Sequence, residues 1–331
     1  MTLIDDRGQT NKRHYPDSTA MSSLKDIGER QLIKNIKRVL RPATGIKGTD
    51  DDAAMLDDDT AVCSDIVTFE RHKPKGMTFE QFGWTAAAVN FSDLAAMGAR
   101  PAGLIVSLAL PEDMDEADVY DIMSGIDQCA EFCNTRVIGG DTKPGPGVIS
   151  CTALGKMEGY EPMMRSGANP GDVVAVTGSL GGPAAGFAAI ENGIEAEDAI
   201  FSLMTPVPLV NEGMELCRCG KVTSCIDLSD GLASAANIIC EQSRCGMEIV
   251  WEFLPVSPDV DDVCLATRGS EEDMVLNWGG EYELMFTFPK EEIETLQKTG
   301  LFFSIIGHIT NDDGAYLLKD DNKRRLEYGR Y

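Results

Sequence analysis

The stretch from Thr78 to Gly98 constrains the fold of this chain more than any other segment. It contains no proline, few β-branched residues and many alanines, a pattern that predicts one long helix. Gly98 suits a helix end just beyond the last apolar residue, and Pro101 prevents continuation. Because most side chains in this helix are small, we expect neighbouring backbone to approach it closely.

Two polar residues, Asn90 and Asp93, interrupt this apolar helix three positions apart and therefore share one face. A carboxylate on a buried helix is costly unless it is paired or binds a cation. Two interpretations of Asp93 are open from this stretch alone. It is either a capped or salt-bridged core residue, or part of a metal or phosphate site.

The charge balance limits the partners of the protein. The 331 residues include 29 Lys and Arg against 54 Asp and Glu, a formal net charge of −25. This excess argues against nucleic acid or an anionic membrane as a partner, and no apolar run reaches the ~18–20 residues of a transmembrane helix. Residues 1–23 are polar, lack the apolar segment of a secretory signal, and are expected to form a disordered tail.

Cysteine and histidine usage argues against a zinc site. The 10 cysteines are scattered, several lie in apolar segments, none forms a C-x-x-C pair, and the chain has 3 histidines. Reduced and mostly buried thiols are typical of a cytoplasmic protein. We therefore expect a cytoplasmic location.

Strand and helix patterns mix in both halves of the chain, which predicts an α/β (α+β-like) fold. Among the predicted strands, a short one at 137–138 is expected to stop at a turn formed by Gly139 and Gly140. The composition shifts to Gly, Pro, Met and Ser around residues 156–171. We place a domain boundary there, between residues 24–158 and residues 159–331.

Acidic residues stand at the ends or edges of five apolar segments. They are Asp50-Asp51-Asp52, Asp65, Asp93, Asp141, and the pair Asp227 and Asp230. One such aspartate is usually a cap or turn residue, but five positions in one chain suggest a shared role. Carboxylates without accompanying Cys or His suit Mg²⁺, which takes few protein ligands plus water and substrate phosphate.

Glycine pairs at Gly139-Gly140 and Gly279-Gly280 would let backbone N–H groups approach an anion closely. The chain contains no G-x-x-x-x-G-K-[ST] loop and no G-x-G-x-x-G after a strand. Residues 178–182 are more typical of a tight strand–helix connection than of a phosphate loop. A nucleotide would therefore bind through metal-bridging aspartates, and a Ser-His-Asp or Cys-His nucleophile has no support.

Eight segments match one family in order along the chain. They are Asp51–Ala54, Ser64-Asp65 with His72, Ala88–Ala99, Ser107–Pro111, Ile138–Thr142, Arg165–Asp172, Ile226–Leu232 and Gly279–Glu281. These segments resemble the thiamine-monophosphate kinases, a family of the aminoimidazole-ribonucleotide-synthetase-related ATP-binding superfamily. The resemblance spans about Leu24 to Tyr331.

The resemblance implies a two-domain fold with an N-terminal mixed sheet and helices, and a C-terminal α/β sandwich. It implies ATP-dependent phosphorylation of thiamine monophosphate to thiamine diphosphate, with ATP and several Mg²⁺ ions between the domains. It also implies a homodimer through the N-terminal sheet. Such a reaction needs no general base, because the acceptor phosphate oxygen is already ionised, so positioning and charge neutralisation carry catalysis.

By motif match, the resemblance also assigns the site residues. The metal ligands would be Asp52, Ser64, Asp65, Asp93, Asp141, Asp227 and Asp230. The ATP contacts would be Gly140, Asp141, Arg165 and Ser229. The contacts to thiamine phosphate would be His72, Glu281 and a C-terminal aromatic, with Tyr328 preferred over Tyr331.

Three segments depart from the family pattern. The family's usual Gly-Gly-Glu-Asp-Tyr-Glu lacks its Asp in this chain, where the segment ends in Gly280–Glu283. The usual Gly-Asp-Asp is replaced by Asp50–Asp52, and the usual Ser-Thr-Asp is replaced by Cys63–Asp65. Two alternatives to the kinase stay open. One is an enzyme of the same superfamily with a different acceptor, and the other, given the changed segment around Glu281, is a non-catalytic nucleotide-binding relative.

Overall fold

The computed structural model of the protein describes residues 3–4, 10–11, 27–40 and 43–329. The chain forms two compact units, Met1–Ile46 and Lys47–Tyr331. Among the described residues, none of the helices combines the length and apolar character that crossing a bilayer would require.

The first unit contains two short strands and one helix among its described residues. Strands β1 (Leu3–Ile4) and β2 (Thr10–Asn11) pair antiparallel, and α1 spans Glu29–Val39. The other residues of the predicted tail at 1–23 lie outside the described residues, so that prediction stays a prediction.

A five-stranded mixed sheet forms the first part of the second unit. Its strands are β3 (Ala54–Met55), β4 (Thr60–Thr68), β5 (Arg100–Leu110), β6 (Val137–Pro144) and β7 (Val148–Lys156). The order is β3-β4-β7-β5-β6, in which only the β5–β6 pair is parallel. Burial alternates along β4, β5 and β7, so one face of the sheet packs inward and the other faces outward.

The prediction of a turn at Gly139-Gly140 is wrong. Both glycines lie inside β6, which pairs with β5 at one edge of the sheet. A Cβ at Gly140 would collide with the carbonyl oxygen of Val106, so glycine there permits close approach of the neighbouring strand. As an edge strand, β6 still presents backbone N–H groups on its outer side.

Three helices accompany this sheet: α2 (Phe69–His72), α3 (Phe79–Met97) and α4 (Glu116–Phe132). The predicted long helix is confirmed as α3. Thr78 and Gln81 form a capping box at its start, and Gly98 ends it in the left-handed conformation with φ 74°. Most of α3 is buried on all sides, as expected for a helix without a polar face.

A seven-stranded mixed sheet follows. Its strands are β8 (Asp172–Thr177), β9 (Ser224–Asp227), β10 (Gly246–Val250), β11 (Leu284–Pro289), β12 (Phe303–Thr310), β13 (Gly314–Lys319) and β14 (Asn322–Arg325). The order is β14-β13-β10-β12-β8-β11-β9. The sequence pattern does not predict strand β14, because its four residues are all exposed and polar.

The helices of this second part are α5 (Gly182–Asn192), α6 (Glu197–Met204), α7 (Val210–Cys219), α8 (Leu232–Ser243), α9 (Asp259–Thr267), α10 (Glu271–Asn277) and α11 (Ile293–Gln297). Short 3₁₀ helices span Trp251–Phe253 and Lys290–Glu292. Together the two mixed sheets and their helices give the predicted α/β class of fold.

Helix α3 lies between the two sheets and positions the candidate site. It packs against β4 and β7 of the first sheet, β9 of the second sheet, and the helices α4 and α7. The expected close approach is confirmed, since a Cβ at Gly213 of α7 would collide with the carbonyl oxygen of Ala95. Residues of α3 can therefore meet side chains from both halves of the chain.

Candidate active site

Three aspartates from distant parts of the chain form a carboxylate cluster. Asp52 comes from the loop before β3, Asp93 from α3, and Asp227 from the end of β9, and one oxygen of each lies within 4.8 Å of the others. Asp52 and Asp227 are 7% and 2% exposed. Three ionised carboxylates at this spacing repel one another, so the cluster needs protons or a cation. Its hard oxygen donors fit Mg²⁺.

Two hydroxyl groups orient the carboxylate of Asp227. The Ser92 hydroxyl donates to Oδ2 at 2.7 Å, and the Ser229 hydroxyl donates to Oδ1 at 3.0 Å. Burial and the neighbouring charge of Asp52 raise the pKa of Asp227 to about 7, although Arg165 and the two hydroxyl groups favour the ionised form. Asp227 is therefore poised to exchange a proton for a cation near neutral pH.

The guanidinium of Arg165 pairs with Asp52. Its Nη2 lies 2.5 Å from Asp52 Oδ1, and the backbone N–H of Arg165 donates to Asp51 Oδ1 at 2.6 Å. Asp52 Oδ2 and Arg165 Nε are buried without a hydrogen-bond partner. Burial raises the pKa of Asp52 despite this pairing. A cation in the cluster would satisfy the unpartnered oxygen of Asp52.

Asp93 lies beside Asp65 as well as in the cluster. The two carboxyl groups hydrogen-bond to each other, and burial together with the charges of Asp227, Asp65 and Asp52 raises the pKa of Asp93 well above its usual value. Asn90 positions this pair, because its Oδ1 accepts from the Asp65 N–H at 3.1 Å. Because the groups named around Asp93 are carboxylates, the surroundings favour the second interpretation, a metal or phosphate site, over a capped or salt-bridged core residue.

Asp230 also belongs to this acidic group. Burial raises the pKa of Asp65, and the nearby carboxylate of Asp230 adds to this effect. Asp230 follows Asp227 by three residues in the turn after β9, and Ser229 lies between them. The structure thus brings five predicted metal ligands together: Asp52, Asp65, Asp93, Asp227 and Asp230.

The other two predicted metal ligands lie apart from this group. Asp141 is exposed on β6, where it pairs with Lys143 at 3.1 Å, and its pKa is lowered by that contact. Ser64 is exposed on the outward face of β4, and its hydroxyl donates to the carbonyl of Cys151 at 2.9 Å. Gly140, a predicted ATP contact, lies beside Asp141 on β6. Their roles stay predictions.

The predicted substrate contacts lie on separate segments. His72 is exposed in α2, and its Nδ1 accepts from the Thr68 N–H at 3.0 Å. Glu281 accepts from the Gly181 N–H at 3.1 Å through Oε1, and its Oε2 is buried without a partner. Burial raises the pKa of Glu281 to about 7. Tyr328 lines a cavity of about 820 Å³.

Sequence reasoning missed two aromatic residues next to Glu281. Tyr282 adopts φ 53°, an unusual conformation for a tyrosine, and burial together with the nearby charges of the acidic group raises its pKa. Trp278 is 45% exposed and lines the same cavity as Tyr328. The signal available in the sequence was a large aromatic on each side of the Gly279-Gly280-Glu281 segment.

The raised pKa values predict how pH changes stability. Folded Asp227 keeps its proton up to about pH 7, whereas the unfolded chain loses it near its usual value of 3.8. The free energy of unfolding without divalent cations therefore decreases, through this group, as pH rises from about 4 to 7. A cation replaces the proton, so added Mg²⁺ should raise the melting temperature more at pH 8 than at pH 5.

Differential scanning fluorimetry at both pH values, with and without millimolar Mg²⁺, measures this effect. Asp227→Asn should reduce the pH dependence, whereas Asp127→Asn, on the exposed side of α4, should leave it unchanged. An equal Mg²⁺ shift at both pH values would contradict the assignment.

Comparison with known proteins connects this geometry to a family. Residues 50–157 match the N-terminal domain of the AIR synthase related proteins, and residues 169–319 match their C-terminal domain. The thiamine-monophosphate kinase of Methanopyrus kandleri is 36% identical over 300 residues, covering 89% of this chain and 94% of the relative. The Escherichia coli K12 enzyme of the same name is 35% identical over 307 residues, covering 86% and 90%.

Comparison with solved structures points to the same family. AaThiL complexed with AMPPCP and TMP superposes with a TM-score of 0.83 at 28% identity, covering 94% of this chain and 98% of that one. Thiamine monophosphate kinase from Aquifex aeolicus gives a TM-score of 0.78 at 28% identity, covering 92% and 99%. The hydrogenase maturation protein HypE in complex with ATP, at 22% identity and a TM-score of 0.70 over 87% and 91%, shares the fold.

Proposed function

This chain belongs to the thiamine-monophosphate kinases of the AIR synthase related family, and from that premise we propose how its site performs the reaction. The protein transfers the γ-phosphoryl group of ATP to thiamine monophosphate, giving ADP and thiamine diphosphate. The observation that carries the proposal is the cluster of Asp52, Asp93 and Asp227, with one buried oxygen that lacks a partner.

The residues of the cluster would hold Mg²⁺. Asp52, Asp93 and Asp227 supply the central oxygens, and Asp65 and Asp230 lie beside them. When bound, Mg²⁺ supplies positive charge that neutralises the phosphate groups of donor and acceptor. The donor set fits this role, because it consists of hard carboxylate oxygens without a histidine or cysteine ligand.

The chain's own groups orient these carboxylates. The hydroxyl groups of Ser92 and Ser229 each donate to a different oxygen of Asp227, and Arg165 donates to one oxygen of Asp52. These contacts fix the orientation of the two carboxylates before the substrates bind, and in-line transfer requires such positioning. The acceptor phosphate is already ionised near neutral pH, so no side chain has to remove a proton from it.

ATP contacts complete the proposal. Ser229 is exposed beside Asp227, and Arg165 has a guanidinium N–H without a partner, so both can turn toward a phosphate. Gly140 and Asp141 lie in the edge strand β6, where alternate backbone N–H groups point away from the sheet. A shift of Lys143 away from Asp141 would free that carboxylate for a second cation.

A purified-protein assay tests this function. ADP formation is measured with Mg·ATP and thiamine monophosphate, against a panel of other phosphorylated and hydroxyl acceptors. Thiamine diphosphate should form only in the complete mixture. ADP formation with another acceptor alone would favour a different enzyme of the superfamily, and ATP binding without any transfer would favour a non-catalytic relative.

The outward face of the five-stranded sheet supports the expected homodimer. Ile66, Ile105 and Ile138 lie on three strands of this sheet and are 60%, 37% and 54% exposed. Burying an apolar sheet face between two copies would remove this surface from water.

All ten cysteines are free, which is in keeping with a reducing compartment and the proposed cytoplasmic location.

An aspartate on this face should separate the copies. Ile105→Asp would bury a charge in the proposed interface, so it should convert a dimer to a monomer in light scattering coupled to gel filtration. Leu265→Asp is the matched control, because Leu265 is 80% exposed on α9 and lies outside this sheet. An unchanged mass for both variants would rule out the sheet face as the interface.

A further inference from the structure

Trp278 lines a cavity and packs against a second aromatic residue. The ring is 45% exposed, and its centroid lies 4.9 Å from that of Phe187 on α5, with the two ring planes inclined at 37°. Phe187 therefore supports one side of the indole. Trp278 also lines a cavity of about 820 Å³ together with Tyr328 and Asp273. A large aromatic held this way is prepared to stack on a flat ligand.

The loop after Trp278 connects this cavity with the carboxylate cluster. Gly279 packs so closely on the turn after β9 that a Cβ there would collide with the carbonyl oxygen of Ser229. The Gly280 N–H donates to the same carbonyl at 2.9 Å. Ser229 also donates to Asp227, so the loop that follows Trp278 packs on the turn that carries a hydrogen-bond partner of the cluster.

The C-terminal segment also contacts the turn after β9. The N–H of Gly329 donates to the Ser234 hydroxyl at 3.1 Å, and a Cβ at Gly329 would lie 3.5 Å from the Asp230 carbonyl oxygen. Tyr328, the residue before it, lines the cavity. Two aromatic residues from separate segments thus line one cavity, and both segments contact the turn that carries Ser229 and Asp230.

The charges around the cavity suit a cationic ring. Asp273 and Glu327 contribute carboxylates to its lining, and the charge of Arg324, which also lines it, is offset by Glu272 at 2.6 Å. Arg325 contributes a positive charge at the same wall. An electron-rich indole attracts cationic and electron-poor rings placed over its face. Thiamine monophosphate carries a cationic thiazolium and an aminopyrimidine, with its phosphate at the far end.

We propose that Trp278 binds the organic half of the acceptor by stacking on one of its rings, and so selects thiamine monophosphate over phosphates without such a ring. This inference rests on the proposed function and names a residue that sets its substrate preference. Phe187 acts as a positioning residue, because its ring packs against the indole of Trp278 and restricts the orientation of that indole.

Steady-state kinetics test the inference. Trp278→Ala should raise the KM for thiamine monophosphate about ten- to hundredfold, the range expected for loss of one aromatic stacking partner. The KM for ATP should stay within about twofold of the wild-type value. Trp278→Phe should recover most of the affinity, and Phe187→Ala should raise the same KM by a smaller factor.

Intrinsic fluorescence gives a readout that does not depend on turnover. The chain has 3 tryptophans, and thiamine monophosphate should quench emission in the wild type and in Trp251→Phe. Quenching should be lost in Trp278→Phe, a variant that keeps an aromatic ring and is expected to fold. Trp251 is the matched control because it packs against Lys319 and does not line the cavity.

The possible outcomes distinguish failure of the role of Trp278 from failure of the kinase function. Wild-type turnover with unchanged KM in Trp278→Ala, or undiminished quenching in Trp278→Phe, would overturn the role of Trp278 and leave the kinase function standing. Absence of thiamine diphosphate formation by the wild-type protein would overturn the function and this inference with it.

Discussion

Replacing Asp93 by asparagine is expected to lower kcat by roughly a hundred- to ten-thousandfold, because a metal ion at such a site contributes several kcal/mol to transition-state stabilisation. Asp93 lies at the centre of the acidic group, in electrostatic contact with Asp52, Asp65 and Asp227. The substitution keeps the shape of the side chain but cannot ionise, so it removes the negative charge that Asp93 would present to a bound cation without adding repulsion to the cation-free site. Without divalent cations the melting temperature should therefore be equal to or higher than that of the wild type.

Turnover measured across a Mg²⁺ titration, together with thermal unfolding, checks this expectation. Asp127→Asn, an exposed aspartate on α4, serves as the matched control and should keep wild-type activity. A near-normal rate of Asp93→Asn at limiting Mg²⁺ would remove Asp93 from the metal site. A large loss of melting temperature would instead indicate that Asp93 supports the fold.

Arg165→Met should lower the free energy of unfolding by about 3–5 kcal/mol, the usual effect of removing one partner from a buried ion pair. The Asp52 side chain is fully buried, and its charge would be left without Arg165, while Oδ2 already lacks a partner. The same change should also reduce activity, because Asp52 would lose the contact that orients it toward the cluster.

Urea unfolding followed by circular dichroism measures this effect. Combining Arg165→Met with Asp52→Asn should recover most of the lost stability, since no unpaired charge remains buried. Arg100→Met is the matched control, because Arg100 pairs with Glu158 at 2.5 Å where both side chains are partly exposed to solvent, and the pair should contribute less than about 1 kcal/mol. A double variant as unstable as the single one would show that Arg165 stabilises the fold through other contacts.

Much of the local structure could be predicted because it depends on neighbouring residues. The start and end of α3 follow from a capping box at Thr78 and a left-handed glycine at Gly98. Alternation along β4 and β7 follows from the two-residue period of a strand. The same period explains why Asp65 faces the cluster while the adjacent Ser64 faces outward, since neighbouring residues of a strand point to opposite faces.

The glycine pair in β6 shows where local rules fail. Gly139 and Gly140 have the composition of a turn, yet they lie in an edge strand because β5 approaches too closely for a side chain at Gly140. The constraint comes from Val106, which is more than thirty positions away in the chain. No local pattern contains that information.

The sequence by itself determined the family, the α/β class and the acidic, Mg²⁺-compatible character of the site, because these depend on residue types and on their order. Only the tertiary structure decided which acidic residues meet. Asp52, Asp93 and Asp227 come together because α3 packs between two sheets, whereas Asp141 stays on an exposed edge. The cavity beside Trp278 likewise depends on the C-terminal segment returning to the turn after β9. Contacts between such distant segments follow from strand order and helix packing, which the spacing of residues along a chain does not specify.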